Sequence, residues 1–351
     1  MTEQQNEGRA TLLEVARLAG VSIASVSRVL NNVPPLSEEL RSKVEGAILA
    51  LGYKTKRSSA SHQPMVVALI GDAHNTYFSE ILSGIQDQAS RQGVLVNVVV
   101  NGTEPDFGAR FCRWLSRSQA IGLIVCSSNG IPEDELVRIR DLGKIPIASI
   151  NRLFNTSGIP SVRIDYERAM ESLARYLIKF RHRRIAFLSG SEGSFSAKSK
   201  QKGVEATLEK LGFPLNPELL VERSSTVEGG FQAMNLLLDL PPERRPTAVI
   251  ASNDLIALGA MHAIRRRGLS IPGDMSVTAF DDIAMAAHAN PPLTSIAPPK
   301  FEMGARAMQF IFALGEAEPI RREEYLMMES PLIVRESSGP CPEMNVNLQK
   351  I

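Results

Sequence analysis

The sequence contains few of the residues that bind metal ions or form disulfides. Its 351 residues include three cysteines and five histidines. The cysteines, Cys112, Cys126 and Cys341, lack the paired spacing of a zinc site, and their odd number does not suit a disulfide framework. The histidines are scattered along the chain with no ligand-like cluster. We therefore expect no metal and no other cofactor, and we interpret the cysteines as reduced thiols.

Long apolar runs and a strong charge imbalance are also missing. No segment reaches the ~18 apolar residues of a membrane-spanning helix, and the first seven residues are polar and acidic, unlike those of a signal peptide. We therefore expect a cytoplasmic protein without a membrane partner. The net charge is +1, but residues 11–60 carry seven basic and four acidic side chains. The sign of this local excess suits contact with nucleic acid.

Motifs of several enzyme classes are absent as well. The chain has no P-loop, no G-x-G-x-x-G fingerprint, no H-E-x-x-H metal motif and no G-x-S-x-G nucleophile turn. No histidine stands in a recognisable triad context. These absences favour a protein that binds its ligands without converting them, and we expect no enzymatic activity.

The most informative stretch is residues 11–31. Apolar residues recur at helical spacing from Leu12 to Ala19, Gly20 ends the helix, and Ser22 suits the N-cap of a second helix. A third helix begins after Ser37 and ends before Gly52. Two short helices joined by small residues and followed by a third predict an all-α helix-turn-helix headpiece over residues 11–53, with Tyr53 closing its small core.

The rest of the chain divides by pattern. We expect residues 1–10 to be disordered, residues 54–64 to form a polar linker, and residues 338–351 to form a loose tail. Within 65–337, short apolar strands alternate with helical segments in two successive series, whereas residues 291–296 are interpreted as a rigid crossover. This pattern predicts an α/β body of two doubly wound parallel-sheet lobes. The carboxyl ends of the strands would face a shared cleft for a small ligand.

Four stretches of the headpiece carry a characteristic order of residues: Glu14-Val15-Ala16, Ala19-Gly20-Val21-Ser22, Val26-Ser27-Arg28-Val29-Leu30-Asn31 and Leu51-Gly52-Tyr53. Together they resemble the headpiece of the lactose-repressor (LacI/GalR) family of bacterial transcription regulators. The similarity continues to about residue 337. It implies a body like that of the periplasmic sugar-binding proteins and a function in transcription regulation.

The resemblance assigns the residues that contact DNA. The base-reading positions of the family fall on Ile23, Ala24 and Arg28, and an arginine can bond guanine through two donors. The phosphate-binding positions fall on Thr11, Ser22, Ser25, Ser27 and Asn31. Two alternatives remain open from the residues themselves: Arg28 could bind phosphate, and each hydroxyl could serve only as a local helix cap.

The resemblance also assigns an effector site. Its residues are Tyr77, Phe78, Asn151, Arg152, Lys200, Asn253, Phe280 and Asp281. Asn151 and Lys200 depart from the family pattern, which usually has Asp and Arg there, and the linker lacks the usual leucine wedge. The aromatic residues could instead plug the edge of a lobe. Asp254 and Asp282 are interpreted as an N-cap and a turn residue.

We therefore expect a sequence-specific DNA-binding transcription regulator, a repressor, that binds a pseudo-palindromic double-stranded operator as a homodimer. A sugar or related metabolite bound between the lobes would modulate its affinity for DNA. One alternative is a regulator with a vestigial pocket that acts without an effector. A second is a sugar-binding protein without a role on DNA, which the headpiece disfavours.

Overall fold

The computed structural model describes residues 11–30, 37–51, 64–102, 104, 106–126, 131–143, 145–152, 159–190, 195–315 and 325–342. The predicted disordered N-terminus, Asn31, Tyr53 and all of the predicted linker except Pro64 lie outside these residues. The chain divides into two compact units, residues 1–62 and 63–351.

The described residues of the first unit form three helices: α1 (Leu12–Ala19), α2 (Ile23–Leu30) and α3 (Glu38–Leu51). Thr11 and Glu14 form a reciprocal capping box at the start of α1. Gly20 ends this helix with φ of 66°, in the left-handed region that glycine adopts without strain. Five fully buried side chains form the core of this unit: Val15, Ala16, Val26, Val44 and Ala47. The predicted helix-turn-helix headpiece is confirmed.

The second unit alternates strands and helices. In chain order its elements are β1 (Met65–Ile70), α4 (Thr76–Arg91), β2 (Leu95–Val100), α5 (Phe107–Arg117), β3 (Ala120–Val125), α6 (Glu133–Gly143), β4 (Ile147–Ile150), β5 (Ser161–Ile164), α7 (Tyr166–Lys179), β6 (Ile185–Ser189), α8 (Phe195–Lys210), a 3-10 turn (Pro217–Leu219), β7 (Leu220–Glu222), α9 (Val227–Leu238), β8 (Ala248–Ala251), α10 (Asp254–Arg266), β9 (Ser276–Phe280), α11 (Ala284–His288), β10 (Thr294–Ile296), α12 (Lys300–Gly315), β11 (Tyr325–Met328) and β12 (Leu332–Ile333).

The strands form two six-stranded sheets, one in each lobe. The first sheet has the order β11-β5-β4-β3-β1-β2 with all neighbours parallel, and the second has the order β12-β10-β9-β8-β6-β7. In the second sheet only the edge pair of β10 and β12 is antiparallel. The prediction of two doubly wound lobes is confirmed. The chain passes between the lobes after β5, after β10 and after β11.

Both faces of each sheet are covered, which explains the continuous apolar strands. In β1, Val66 and Ala68 pack on one side of the sheet, while Val67 and Leu69 belong to a separate cluster on the other side. Successive side chains of a strand point to opposite faces, so a strand with two buried faces must be apolar throughout. This constraint made the strands visible in the sequence.

Two sequence expectations need correction. Residues 291–296 are not a plain crossover, because β10 pairs with β9 within them. The expectation that the chain is loose from Ser338 onward is wrong for 338–342: the Gly339 carbonyl accepts from His182 Nε2 at 2.9 Å, and the Cys341 amide donates to the Phe180 carbonyl at 2.9 Å. Residues 343–351 lie outside the described part of the chain.

Helices α4 and α12 approach until their backbones touch. A Cβ placed on Gly84 would lie 1.9 Å from the carbonyl oxygen of Phe301, and one on Gly304 would lie 2.0 Å from that of Ile81. The neighbouring atoms belong to helical backbone and cannot move aside. Glycine is therefore required at both positions, and the first lobe contains a rigid helix pair.

We expect Gly84→Ala to destabilise the second unit by about 3 kcal/mol, because the added methyl group overpacks a backbone contact. Urea unfolding monitored by circular dichroism would measure the loss. Gly315→Ala, at the exposed end of α12 with no atom within 4 Å of the new Cβ, should change stability by less than about 0.5 kcal/mol. Equal effects of the two substitutions would contradict the close packing.

Candidate functional site

The candidate effector site is centred on the end of β9. Phe280 is the last residue of this strand and is fully buried, and the chain turns sharply at the next two residues. Asp281 and Asp282 have φ of 112° and 46°, which non-glycine residues seldom adopt. The turn places the Asp281 carboxylate inside the protein, where Asp281 is 6% exposed. Strained backbone of this kind often occurs at ligand sites.

The Lys200 ammonium meets this carboxylate. Lys200 enters from α8 and is 5% exposed, and its Nζ lies 3.6 Å from Asp281 Oδ1. Nζ also donates to the Ser252 carbonyl at 2.8 Å and lies 3.8 Å from the centre of the Phe280 ring. The Tyr166 ring centre is 5.3 Å away on another side. The cation is thus held by a carboxylate, a carbonyl and two aromatic rings.

A second buried lysine connects the two lobes beside this site. Lys300, at the start of α12, donates to the carbonyls of Asp281 at 2.5 Å and Asp282 at 2.7 Å. The same ammonium lies 3.5 Å from Glu80 Oε1 on α4 of the first lobe. Arg335 pairs with the carboxylate of Asp282 at 2.6 Å, and Asp282 lies in the turn that follows β9.

The first lobe contributes Tyr77 and Asn151. Tyr77 is buried in α4, and its hydroxyl accepts from Asn151 Nδ2 at 3.0 Å. Asn151 Oδ1 in turn accepts from the Ile164 amide at 3.2 Å. An aspartate at this position would have no amide group to donate to Tyr77. The two residues next to them in sequence have other contacts. The Phe78 ring packs edge-on against the Tyr77 ring, and Arg152 donates a hydrogen bond to the Ile131 carbonyl.

The roles of Asn253 and Asp254 are exchanged relative to the sequence interpretation. Asn253 is the N-cap of α10, with its Oδ1 accepting from the Ile256 amide at 2.8 Å. The expectation that Asp254 is the cap is therefore wrong. Asp254 is buried and accepts from the Ile283 amide at 2.7 Å and from the Ser295 hydroxyl at 2.6 Å. Asp254 thereby ties α10 to the turn that follows β9.

Burial shifts the pKa values of the ionisable groups in the cleft. Burial raises the pKa of Asp254 to about 8, and the nearby Asp281 charge adds to this effect. Burial also raises the pKa of Asp281, opposed by the charges of Lys200 and Lys300. Burial lowers the pKa of Lys200, and Asp281 acts in the opposite direction. The pKa of Tyr77 is raised by burial and by the charges of Tyr166 and Asp281.

The structure thus brings part of the predicted effector set together. Lys200, Phe280 and Asp281 are in mutual contact, and Tyr77 and Asn151 are bonded to each other, whereas Asn253 is occupied as a cap. Sequence reasoning missed Tyr166, Lys300 and the Ser252 carbonyl. Tyr166 and Lys300 each begin a helix just after the chain passes from one lobe to the other. This position at the junction of the lobes was the sequence feature that could have indicated their place in the cleft.

The predicted DNA-reading surface lies on α2 of the headpiece. Ile23 is 45% exposed, and Ala24 and Arg28 are also exposed. Arg28 makes no hydrogen bond or ion pair with another described residue of the headpiece. Of the predicted phosphate-binding residues, Thr11 and Ser22 act as caps, since their hydroxyls accept from the Glu14 and Ser25 amides. Ser25 and Ser27 are half-buried on α2.

None of the helices in the described ranges is long and apolar enough to cross a membrane. Among these same residues, no three histidine, cysteine, aspartate or glutamate side chains are grouped as metal ligands would be.

A helix-turn-helix unit joined in one chain to a two-lobed α/β unit, with polar side chains at the strand ends, defines a DNA-binding regulator with a ligand-binding body. Residues 11–56 match the family model "Bacterial regulatory proteins, lacI family", and residues 63–322 match "Periplasmic binding proteins and sugar binding domain of LacI family". The chain belongs to the LacI family and is a DNA-binding transcription regulator.

Three known proteins illustrate the likeness. Catabolite control protein A of Priestia megaterium is 32% identical over 86% of this chain and 91% of its own length. The transcriptional repressor CytR of Escherichia coli K12 is 30% identical over 97% of this chain and 100% of its own length. The lac repressor dimer bound to operator and the anti-inducer ONPF superposes with a TM-score of 0.69, at 25% identity, covering 95% of this chain and 100% of that chain.

We expect Asp254 to contribute stability that is progressively lost as pH rises from about 4 to about 8. In this range native Asp254 keeps a proton that the unfolded chain releases, so each pH unit costs at most about 1.4 kcal/mol. In Asp254→Asn the amide oxygen can accept from the Ile283 N–H and the amide NH2 can donate to the Ser295 hydroxyl oxygen, but the group does not titrate. The unfolding free energy of this variant should therefore fall less, or rise more, over this pH range than that of the wild type. Urea unfolding across this pH range measures both slopes.

The matched control is Asp239→Asn, which removes an exposed carboxylate that pairs with Arg267 in the same lobe. This variant should retain the wild-type slope. If Asp254→Asn and the wild type gave parallel curves, Asp254 would not be the titrating group.

Proposed function

We propose that this regulator is a repressor that binds a pseudo-palindromic operator as a homodimer, and that a small molecule between its lobes changes its affinity for DNA. It would act in the cytoplasm, by binding alone and without catalysis. The observation that carries the proposal is the exposed row of Ile23, Ala24 and Arg28 on α2, in a headpiece whose described helices share a buried core.

The DNA-contacting role of α2 follows from the chemistry of its exposed side chains. Arg28 has no competing partner among the described residues and can donate two parallel hydrogen bonds to guanine in the major groove. Ile23 and Ala24 can contact a thymine methyl group or exclude a wrong base. The capping by Thr11 and Ser22 fixes the start of each helix, and the backbone amides there suit a phosphate.

Dimerisation follows from the size of the headpiece. A single three-helix unit buries too little surface for tight specific binding, so two copies on two half-sites are the geometric expectation. The lac repressor structure is of a dimer bound to its operator, which supports the same arrangement here. Half-sites about one helical turn apart, or a multiple of that distance, would fit two-fold symmetry.

Control by a ligand follows from the construction of the body. Two lobes joined by three connections can change their relative position. Lys300 contacts Glu80 of the first lobe and donates to the Asp281 and Asp282 carbonyls of the second. A ligand changes affinity for DNA only if it binds one lobe arrangement better than the other. The proposed contacts are Tyr77, Phe78, Asn151 and Arg152 on the first lobe and Lys200, Asn253, Phe280 and Asp281 on the second.

We expect Arg28→Ala to lose sequence discrimination at one base pair in each half-site. A bidentate arginine–guanine contact contributes about 1–3 kcal/mol, so preference at that position should fall by roughly 5- to 150-fold. Selection from a randomised duplex library, followed by binding measurements at fixed salt, would quantify the change.

Lys43→Ala is the charge-matched control. Lys43 lies on α3, is half-exposed and pairs with Glu39, so its loss should leave base preference unaltered. If Arg28→Ala weakened binding equally for all sequences, the arginine would contact phosphate, and the base-reading role would be rejected.

A further inference from the structure

The polar groups at the strand ends of the second lobe are already bonded to a side chain of the same protein. We propose that the Lys200 ammonium is a tethered occupant of the ligand cleft, so that Asp281 does not bind the hydroxyls of a neutral sugar. This inference rests on the proposed function in locating the effector cleft between the lobes. It narrows that function by excluding one class of ligand from one subsite.

The contacts of Lys200 describe a site built for a cation. A carboxylate lies at 3.6 Å, a carbonyl accepts at 2.8 Å, and the Phe280 ring lies 3.8 Å from the ammonium nitrogen. These three groups come from the ends of two neighbouring strands, β8 and β9, where doubly wound sheets bind their ligands. The ammonium therefore occupies the place of a ligand group.

Lys200 is buried, whereas the two lysines nearest to it on α8 are exposed. Lys198 and Lys202 lie on the opposite face of α8 and are exposed, with Lys202 paired to Glu167 at 3.1 Å. Lys200 is 5% exposed. A buried ion pair adds little net stability, because loss of hydration offsets the attraction between the charges. The main consequence of the Lys200–Asp281 pair is therefore that the ammonium occupies the cleft, and not that the pair stabilises the fold.

A sugar would have to displace the ammonium before it could bond to Asp281. Sugar hydroxyls donate to carboxylates, but Asp281 is 6% exposed and already paired. Displacement would leave the buried Lys200 charge without its carboxylate partner, which is strongly unfavourable. The Asp281 subsite therefore recognises a primary ammonium group and discriminates against a neutral diol.

The test is chemical rescue. Lys200→Ala removes three methylene groups and the ammonium, and propylammonium supplies the same atoms as a free molecule. We expect propylammonium chloride to raise the melting temperature of purified full-length Lys200→Ala by about 2 °C with saturation, as for a ligand of the native state. The uncharged isostere 1-propanol should give no saturable rise.

Three further proteins serve as controls. The wild type and Lys198→Ala should show no saturable response to propylammonium, because Lys200 fills the site in both. Lys200→Met keeps the volume of the side chain and should not respond either. A saturable response of similar size in all four proteins, or none in Lys200→Ala, would overturn the proposal.

Folding of the variant does not limit the test. If Lys200→Ala is recovered unfolded, it is refolded from urea with and without propylammonium. Recovery that depends on the amine supports the proposal, and failure under both conditions contradicts it. Ribose and maltose should cause no shift in melting temperature that depends on Asp281, so each sugar should shift the wild type and Asp281→Asn equally or not at all. A saturable shift with either sugar that Asp281→Asn abolishes would also overturn the proposal.

A DNA-binding measurement separates this inference from the proposed function. Binding of Lys200→Ala to a library-selected duplex is measured with and without propylammonium. Rescue of melting temperature together with a changed affinity for DNA supports both ideas. Rescue with unchanged affinity supports occupation of the cleft by Lys200 and contradicts the proposed coupling between cleft and headpiece.

Discussion

The ammonium of Lys300 is the contact on which the geometry of the cleft depends. Its hydrogen bonds to the carbonyls of Asp281 and Asp282 hold the turn after β9, and its pairing with Glu80 attaches that turn to the first lobe. The same turn directs the Asp281 carboxylate toward Lys200. Two buried lysines therefore hold the end of β9. Lys300 contacts the backbone carbonyls of Asp281 and Asp282, and Lys200 contacts the Asp281 side chain. The position of each lobe is thus linked to the position of one carboxylate.

The fold was predictable because its constraints are local and repeated. Strands with both faces buried must be continuous apolar runs, and helices of the headpiece begin and end at residues whose caps are recognisable, such as Thr11 and Gly20. By contrast, β10 and α11 are short and lie in a Pro-containing segment with little periodicity. No local pattern distinguishes them from an irregular crossover.

The site was less predictable, because its chemistry depends on tertiary contacts. Helical spacing placed Lys200 opposite Lys198 and Lys202, but spacing alone does not tell which face is buried. Either Asn253 or Asp254 is acceptable as an N-cap, and the choice depends on Ser295 and the Ile283 amide, which lie far along the chain. Resemblance to a family located these positions and did not reveal that they are paired with each other.

The packing of residues 337–341, which follow β12, extends the C-terminal boundary of the ligand-binding body. The Ser337 hydroxyl donates to the Val277 carbonyl, and Ser338 contacts both Tyr176 and Thr294, so this segment bridges α7, β9 and β10. Truncation of the body after β12 would remove the Gly339 carbonyl, which accepts the hydrogen bond of the buried His182 Nε2. The second lobe is therefore completed by the irregular segment 337–341 as well as by its strands, and the hydrogen bonds of the lobe extend as far as the Cys341 amide.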